Sequence, residues 1–231
     1  MAWTARAGLD LVFPPRCLSC RRRGSFLCAV CIQAINRLSD PFCPVCESLV
    51  DAADPHCRCR APAPLYVIAA GTFEGPLRGA IHSFKYQGQK AGAADLADLV
   101  APRLRDVLRP GDRIVPIPLH GRRETARGYN QSALLARALA RRLGAEPPRE
   151  TMMRVRDTPR QVGLDREARR RNVKDAFTAD PALCRGRSII MVDDVCTTGA
   201  TLHAAALAAL TAGAQRVSAV VLARALPDRD R

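Results

Sequence analysis

One stretch near the carboxyl end of the chain constrains the fold more than any other. Residues 189–192, Ile-Ile-Met-Val, form a short, bounded apolar run, which is typical of a strand in a parallel sheet. Asp193 and Asp194 follow at once, and after them come the small and hydroxyl-bearing residues Thr197, Thr198, Gly199, Ala200 and Thr201. An apolar segment at helical spacing then runs to about Leu210. This order predicts a buried strand, a pair of carboxylates, a short loop and a helix, as in an α/β fold.

The loop has the parts that a phosphate group needs. Gly199 lets the backbone turn where a side chain would obstruct it, and the three threonines supply hydroxyls. The free amides and the positive dipole end at the start of a helix favour an anion. Asp193 and Asp194 can accept hydrogen bonds from sugar hydroxyls, or hold Mg²⁺ directly or through water. An ordinary capped turn is the plainer alternative, but two adjacent acids after an apolar strand favour a sugar-phosphate site.

This stretch resembles the 5-phosphoribosyl-1-pyrophosphate (PRPP) signature of the type I phosphoribosyltransferases. The shared pattern is a hydrophobic strand, Asp-Asp, small residues and Thr-Thr-Gly-x-Thr, and it is contiguous here. The resemblance implies that Asp193 and Asp194 hold the ribose hydroxyls, near the positive charge that develops on the ring during transfer. It also implies that residues 197–201 cradle the 5-phosphate.

A second group of residues, near the amino terminus, is rich in cysteine. Eight of the ten cysteines form four close pairs: Cys17 with Cys20, Cys28 with Cys31, Cys43 with Cys46, and Cys57 with Cys59. Two thiolates separated by two residues can grip one metal ion, and two such pairs complete a tetrahedral site. Sequential pairing predicts two Zn²⁺ sites, and a cross-braced pairing of the first and third pairs stays open. His56 in place of a thiolate is a further alternative, although a solvated histidine is preferred.

Both zinc ions are predicted to be structural, because full sulfur coordination leaves no position for water. Iron–sulfur ligation is the alternative, and a disulfide framework is disfavoured because nothing points to export. So short a segment has little apolar core, so metal binding would supply its folding energy. The Pro- and Ala-rich residues 60–64 then read as a linker. We therefore predict a double zinc-ribbon domain over residues 1–62 and a phosphoribosyltransferase-like domain over residues 63–231.

Basic residues follow a second predicted strand, residues 114–119. Arg122, Arg123 and Arg127 lie in what reads as a loop at the carboxyl end of that strand, where ligands bind in open α/β sheets. Forked guanidinium donors suit pyrophosphate oxygens, so Arg122 and Arg123 are candidate PRPP ligands. The alternative is a solvated basic loop. Lys85, which follows a helical stretch, is a further candidate for closing the site.

The remaining pattern predicts alternating strands and helices. Residues 65–72 and 217–225 read as strands, and residues 93–108 as a helix that Pro102 kinks or splits. Residues 154–177 are polar, basic and weakly periodic, which predicts a mobile flap with a short helix from about Asp165, or else a solvated charged helix. The alternation favours a parallel sheet with right-handed crossovers, flanked by helices. Cys196, inside the loop, is predicted to fill space as a small apolar residue, although a reactive thiol is the alternative.

The net charge of +14 suits a polyanionic partner, although an arginine-rich proteome would explain it equally well. No apolar run is long enough to span a membrane, and the first residues lack the long apolar stretch of a secretory signal. These features predict a cytoplasmic protein without a membrane span. Because aromatic residues make up only 4% of the chain, its core must consist mostly of Ala, Leu and Val.

The arrangement as a whole resembles the ComF family of phosphoribosyltransferases. The resemblance rests on the paired cysteines and on residues 84–86, 115–118, 127–131, 158–172, 176–177 and 192–201. It implies one or two zinc ribbons in front of a type I phosphoribosyltransferase domain, and PRPP with Mg²⁺ as the ligand. For some members it implies the handling of incoming single-stranded DNA together with DNA-uptake proteins.

Two functions are therefore predicted. The first is transfer of a 5-phosphoribosyl group from PRPP to an unknown acceptor. The alternative is a non-catalytic adaptor that binds single-stranded DNA, with Phe13, Phe26 and Phe42 stacking on bases, although packing of a small core is the preferred role for these rings. A PRPP-sensing regulator of transcription is less supported, because no helix-turn-helix pattern is visible.

Overall fold

A four-stranded parallel sheet forms the centre of the molecule. The computed structural model describes residues 14–50, 57, 65–157 and 166–226. Its strands are β1 (Val67–Thr72), β2 (Arg113–Pro116), β3 (Met152–Arg154), β4 (Phe177–Ala179), β5 (Ser188–Cys196) and β6 (Arg216–Arg224). The parallel sheet has the order β1-β6-β5-β2, and β3 pairs with β4 in a separate antiparallel ribbon. The predicted parallel sheet is thus confirmed.

Helices cover both faces of this sheet. They are α1 (Ala29–Gln33), α2 (Gly75–Tyr86), α3 (Ala93–Asp98), α4 (Ala101–Val107), α5 (Gly121–Arg127), α6 (Gln131–Leu143), α7 (Arg166–Val173), α8 (Pro181–Cys184) and α9 (Ala200–Thr211). A short 3₁₀ turn spans Lys90–Gly92. None of these helices has the length and apolar character that a bilayer span requires in the part of the chain that the structure describes.

The core divides into two layers because side chains alternate along each strand. Ile190 and Val192 of β5 pack with α2, α3 and α6 on one face, whereas Ile189 and Met191 pack with α9 on the other. Burial on both faces explains why the strand reads as an unbroken apolar run. Ala, Leu and Val dominate the buried set, as the low aromatic content predicts.

Several predicted boundaries need correction. The strand does not stop at Val192: β5 runs on to Cys196 and includes both carboxylates. The residues around Arg122 form helix α5 rather than a loop, because Gly128 at φ 78° closes a short helical turn there. The predicted helix over residues 93–108 is split, as Pro102 suggested, into α3 and α4. The β3–β4 ribbon at the base of the predicted flap was missed, since strands of three residues leave almost no periodic pattern.

The predicted flap helix is present as α7, while residues 158–165 lie outside the described residues. The first cysteine segment packs directly on the α/β core. Ser83 Oγ of α2 donates to Leu18 O at 2.6 Å, and Leu27 N donates to an Asp95 carboxylate of α3 at 3.1 Å. Leu18 also lies so close to Gly92 that a Cβ there would be 2.6 Å from its Cδ1. The amino-terminal segment therefore shares one hydrophobic core with the helices, and the domain boundary near residue 62 stays a prediction.

Candidate functional site: two carboxylates, a glycine turn and a buried lysine

Lys85 and Asp194 form an ion pair at the carboxyl end of the sheet. Lys85 Nζ lies 2.7 Å from Asp194 Oδ1, and the two side chains are 20% and 5% exposed. Burial alone lowers the pKa of Lys85, but the charge and hydrogen bond of Asp194 outweigh it and raise that pKa overall. The lysine predicted to close the site therefore already lies inside it, and the Asp194 carboxylate favours its charged form.

Asp193 occupies a different environment from its neighbour. Its Oδ1 accepts hydrogen bonds from Ser132 Oγ and from the Asp194 amide, both at 2.9 Å. Burial and the adjacent Asp194 charge raise the pKa of Asp193 to about 7, although Lys85 and these two donors oppose the rise. The pair thus combines one carboxylate neutralised by lysine with one that gains a proton easily.

The loop at residues 197–201 turns sharply between β5 and α9. Gly199 has φ 70° and is the N-cap of α9 without a side-chain hydrogen bond, so the turn requires a residue that tolerates left-handed backbone. Thr197 is exposed, whereas Gly199 and Ala200 are buried. The free amides of α9 begin directly after this turn, which is the arrangement that favours a phosphate.

Two buried polar atoms beside this loop have no hydrogen-bond partner among the described residues. They are Asp194 Oδ2, an acceptor, and Thr198 Oγ1, which can donate and accept. Buried polar atoms are normally paired, because an unpaired one costs about 1–3 kcal/mol. An acceptor beside the lysine pair and a hydroxyl in the loop fit a ligand that brings both hydroxyls and anionic oxygens.

The predicted pyrophosphate ligands lie on helix α5, after β2. The Arg122 side chain is 83% exposed, and its guanidinium lies 3.6 Å from the Asp157 carboxylate. Arg123 is half-buried and acts electrostatically on Arg154 of β3. Burial and the Arg123 charge lower the pKa of Arg154, whereas Asp193 and Asp157 oppose this. The pKa of Arg154 thus responds to both Arg123 and Asp193, while Arg122 lies beside Asp157.

Sequence reasoning missed two residues of this site. Asn130 caps α6 through its Oδ1, which leaves the Ser132 hydroxyl free to bind Asp193. Arg154 was read only as the start of the flap, yet it stacks 5.3 Å from the centre of the Phe177 ring and lies within electrostatic reach of Asp193. Neither residue belongs to a contiguous motif, so only the tertiary fold identifies it.

The carboxylates fit a Mg²⁺ ion that arrives with a ligand better than one bound by protein alone. Carboxylate oxygens are the hard donors that Mg²⁺ takes, usually one or two of them beside phosphate oxygens and water. Here the Lys85 ammonium occupies one oxygen of Asp194, and a neighbouring positive charge disfavours direct coordination by that residue. Asp193 and the second oxygen of Asp194 would face such an ion.

Two clusters of sulfur atoms fit structural zinc. Cys17, Cys20, Cys28 and Cys31 bring their Sγ atoms within 4.8 Å of one another, as do Cys43, Cys46 and Cys57. The Cys20–Cys28 sulfur distance is 3.6 Å, close to the edge of about 3.8 Å that a Zn–S bond of about 2.3 Å gives a tetrahedron. These groupings are the ones that sequential pairing predicts, while Cys59 and His56 lie outside the described residues.

The other cysteines and the aromatic residues have mainly packing roles. Cys196 is buried, and burial raises the pKa of its thiol to about 12, so it acts as the predicted space-filler. Phe42 is 1% exposed and Phe26 packs against the core, which agrees with packing rather than base stacking. Phe13 lies outside the described residues. A mostly apolar groove of about 720 Å³ runs along α9 to Thr198 and Gly199, but neither Asp193 nor Asp194 lines it.

The class of protein follows from two family models. The model of the double zinc ribbon domain matches residues 8–61, and the model of the phosphoribosyl transferase domain matches residues 130–231. The first covers both cysteine clusters, and the second covers Ser132, both carboxylates and the loop. The chain is therefore a double zinc ribbon protein with a phosphoribosyltransferase-type fold, and structural zinc is indicated at its cysteines.

Whole-chain relatives identify the family. The DNA utilization protein YhgH of Salmonella typhimurium is 34% identical over 94% of this chain and all of its own length. Competence protein F of Haemophilus influenzae is 33% identical over 91% of this chain and 97% of its own. The chain thus belongs to the competence protein F (ComF) family. A solved glutamine PRPP amidotransferase of B. subtilis covers 60% of this chain and 30% of its own at 16% identity, with a TM-score of 0.42, which is too distant to carry an argument.

Proposed function

We propose that this protein binds PRPP with Mg²⁺ at the carboxyl end of β5 and transfers its 5-phosphoribosyl group to an acceptor. The single observation that carries the proposal is the pair of unpartnered buried atoms, Asp194 Oδ2 and Thr198 Oγ1, among the described residues. A ribose hydroxyl would satisfy the carboxylate oxygen, and a 5-phosphate oxygen would satisfy the hydroxyl. A single ligand that carries a ribose hydroxyl and a phosphate would therefore pair both buried atoms and remove the free-energy cost of leaving each unpaired.

The loop is proposed to hold the phosphate end. The amides that follow Gly199 and the hydroxyls of Thr197, Thr198 and Thr201 would donate to the phosphate oxygens, at a helix end where the dipole favours negative charge. Ala200 is buried at this point, which leaves the backbone rather than a side chain to meet the phosphate. Binding this end would fix the ribose ring relative to the two carboxylates.

The carboxylates are proposed to act on the ribose. As the bond from C1 to pyrophosphate breaks, positive charge develops on the ring, and nearby negative groups stabilise that transition state. Lys85 keeps Asp194 ionised and oriented, while Ser132 orients Asp193. Arg123 and Arg154 would take up the negative charge of the leaving pyrophosphate, with Mg²⁺ supplying further charge neutralisation when bound. Because the described part of the site contains no evident base for the acceptor, positioning and electrostatics would carry the reaction.

A role in DNA uptake or utilization, in the cytoplasm, is part of the proposal. It is supported by the names of the relatives, a competence protein and DNA utilization proteins, and by the net charge of +14. The alternative, a non-catalytic adaptor for single-stranded DNA, gains from the exposed Arg22 and Arg23 on the first zinc segment. The adaptor alternative is weakened because two of the aromatic rings expected to stack on bases are not available: Phe42 is buried, and Phe26 packs against the core.

Titrations with PRPP and with a single-stranded oligonucleotide, each at low and high salt, distinguish the two functions. A phosphoribosyltransferase should bind PRPP in a way that depends on Mg²⁺ and only weakly on salt. An adaptor should bind the oligonucleotide with an affinity that falls steeply as salt rises, because counterions are released from the DNA. Oligonucleotide binding of that kind by a folded protein that does not bind PRPP would overturn the enzyme proposal.

A further inference from the structure

The second cysteine segment lies directly against the 197–201 loop. Residues 43–47 form a tight turn, here called the second knuckle, which carries Cys43 and Cys46. A Cβ added at Gly199 would lie 2.3 Å from Pro44 Cβ and 2.8 Å from Pro44 O. These distances are far shorter than any real contact, so the backbone of the loop touches the knuckle with no side chain between them. Glycine is therefore required at this position by the knuckle as well as by its φ of 70°.

A buried arginine fixes the knuckle to the sheet. Arg224, the last residue of β6, is 8% exposed and donates from Nη2 to Glu47 O at 3.0 Å. The same nitrogen lies 4.0 Å from a carboxylate oxygen of Glu47, and the guanidinium is 4.1 Å from the centre of the Phe42 ring. A guanidinium with several partners in a buried setting is a strong anchor, because each donor would cost free energy if left unpaired.

The sheet also receives the chain just before the knuckle. Phe42 and Val67 of β1 exchange backbone hydrogen bonds of 3.0 and 2.9 Å. The knuckle therefore rests on the sheet through Phe42 at β1 and through Arg224 at β6, and on the loop after β5 through Pro44. A displacement of the knuckle would therefore displace the loop backbone as well, because close-packed contacts transmit movement.

The shape of the knuckle depends on its sulfur cluster. Glu47 N donates to Cys43 O at 2.8 Å, and Glu47 adopts φ 66°, an unfavourable conformation for a residue with a side chain. A metal held by Cys43, Cys46 and Cys57 would close this turn and supply the energy to keep it. The loop also has backbone bonds of its own: His203 N donates to Gly199 O at 2.8 Å, and Ala225 N donates to Cys196 O at 2.9 Å.

We propose that the second knuckle is a positioning element for the 197–201 loop, so that metal bound at Cys43, Cys46 and Cys57 holds the loop in the conformation that accepts a sugar phosphate. Pro44 acts through contact with Gly199, and the metal acts through Pro44. The affinity of the site for PRPP thus depends on occupancy of a zinc site that contributes no atom to it. This inference rests on the proposed function only for the identity of the ligand.

Hydrogen exchange tests the coupling without any ligand. The measurement is the exchange rate of amides in a peptide covering residues 196–202 of the full-length, zinc-loaded protein, compared with Cys46→Ser and Pro44→Gly. Cys46→Ser should lose one zinc equivalent and exchange these amides at least tenfold faster. Pro44→Gly should keep both zinc ions and still speed exchange severalfold. Pro110→Gly, in a turn on the exposed surface, is the matched control and should leave exchange in this peptide unchanged.

PRPP titration of the same variants then links the loop to binding. Both knuckle variants should bind PRPP at least tenfold more weakly than wild type. If Cys46→Ser folds, has lost one zinc and shows wild-type exchange, the proposal is overturned. If Cys46→Ser does not fold, wild-type exchange in Pro44→Gly overturns it instead. A wild type that does not bind PRPP would contradict the proposed function, while the exchange measurement would still decide the coupling.

Discussion

The ammonium group of Lys85 lies 2.7 Å from Oδ1 of Asp194, at the point where the last turn of α2 meets the carboxyl end of β5. The two residues are more than a hundred positions apart in the chain. The ion pair neutralises the Asp194 carboxylate and fixes its orientation through Oδ1. Its Oδ2 has no hydrogen-bond partner among the described residues and can accept a bond from a ligand. It also connects the site to the first zinc segment, because Ser83 of the same helix donates to Leu18 O.

Breaking this pair from one side should destabilise the fold. Lys85→Met leaves the buried Asp194 charge without its partner, and we expect the free energy of unfolding to fall by about 3 kcal/mol. The double variant Lys85→Met/Asp194→Asn removes both charges and should recover part of that loss. Urea denaturation of the three proteins measures the difference. Equal losses in the single and the double variant would contradict the buried pair.

Asp193 should make stability depend on pH. Its pKa is raised to about 7 in the folded protein from its ordinary value of 3.8, so its favourable contribution is complete below about pH 4. Above that, the unfolded chain ionises first, and wild-type stability is lost as pH rises through about 7. Each unit of pKa difference corresponds to about 1.4 kcal/mol. Asp193→Asn should escape this loss, so its melting temperature should rise relative to wild type between pH 5.5 and pH 8.

Melting curves without PRPP or Mg²⁺ measure this trend. The exposed Glu150→Gln variant is the control, and its offset from wild type should stay constant over the same range. Zinc loss at the acid end affects all three proteins alike and cancels in the comparison. A constant offset between Asp193→Asn and wild type would show that Asp193 ionises as an ordinary surface carboxyl does.

Removal of the unpartnered hydroxyl in the loop should separate binding from stability. Thr198→Val keeps the shape of the side chain, and because its hydroxyl has no partner in the described residues, we expect stability to change by less than about 0.5 kcal/mol or to rise. PRPP should bind about tenfold more weakly, which corresponds to about 1.4 kcal/mol. Thr211→Val, at the far end of α9, is the matched control. A large loss of stability with unchanged affinity would mean that the hydroxyl serves the fold.

The two cysteine clusters should differ in their effect on the whole protein. Elemental analysis should find about two zinc ions per chain, in tetrahedral sulfur sites. Cys17→Ser and Cys46→Ser should each lose one, but Cys17→Ser should lower the melting temperature more, because its segment is buried against α2 and α3. Equal melting temperatures with one zinc lost in each would show that the burial of the first segment does not make its cluster the more stabilising one.

The features that could be predicted from the sequence are those formed by residues close together in the chain. The strand and helix around the Asp193–Thr201 motif, the parallel sheet and the four close cysteine pairs all follow from local spacing, whereas the choice between sequential and cross-braced pairing does not. The residues that act on the motif from a distance do not. Ser132 reaches Asp193 only because α6 begins beside β5, and Pro44 reaches Gly199 only because the knuckle folds onto the loop. Helix α5 reads as a loop in the sequence because its seven residues, five of them polar, have no apolar stripe and give no helical pattern.

The most direct test of the account is isothermal titration of PRPP, with and without Mg²⁺, on the zinc-loaded wild type and on Asp193→Asn/Asp194→Asn. We predict Mg²⁺-dependent binding to the wild type and its loss in a variant that remains folded, because in the proposed complex the carboxylates would face both the ribose and the ion. A folded wild type that does not bind PRPP, or a double variant that binds it as tightly, would contradict the sugar-phosphate site.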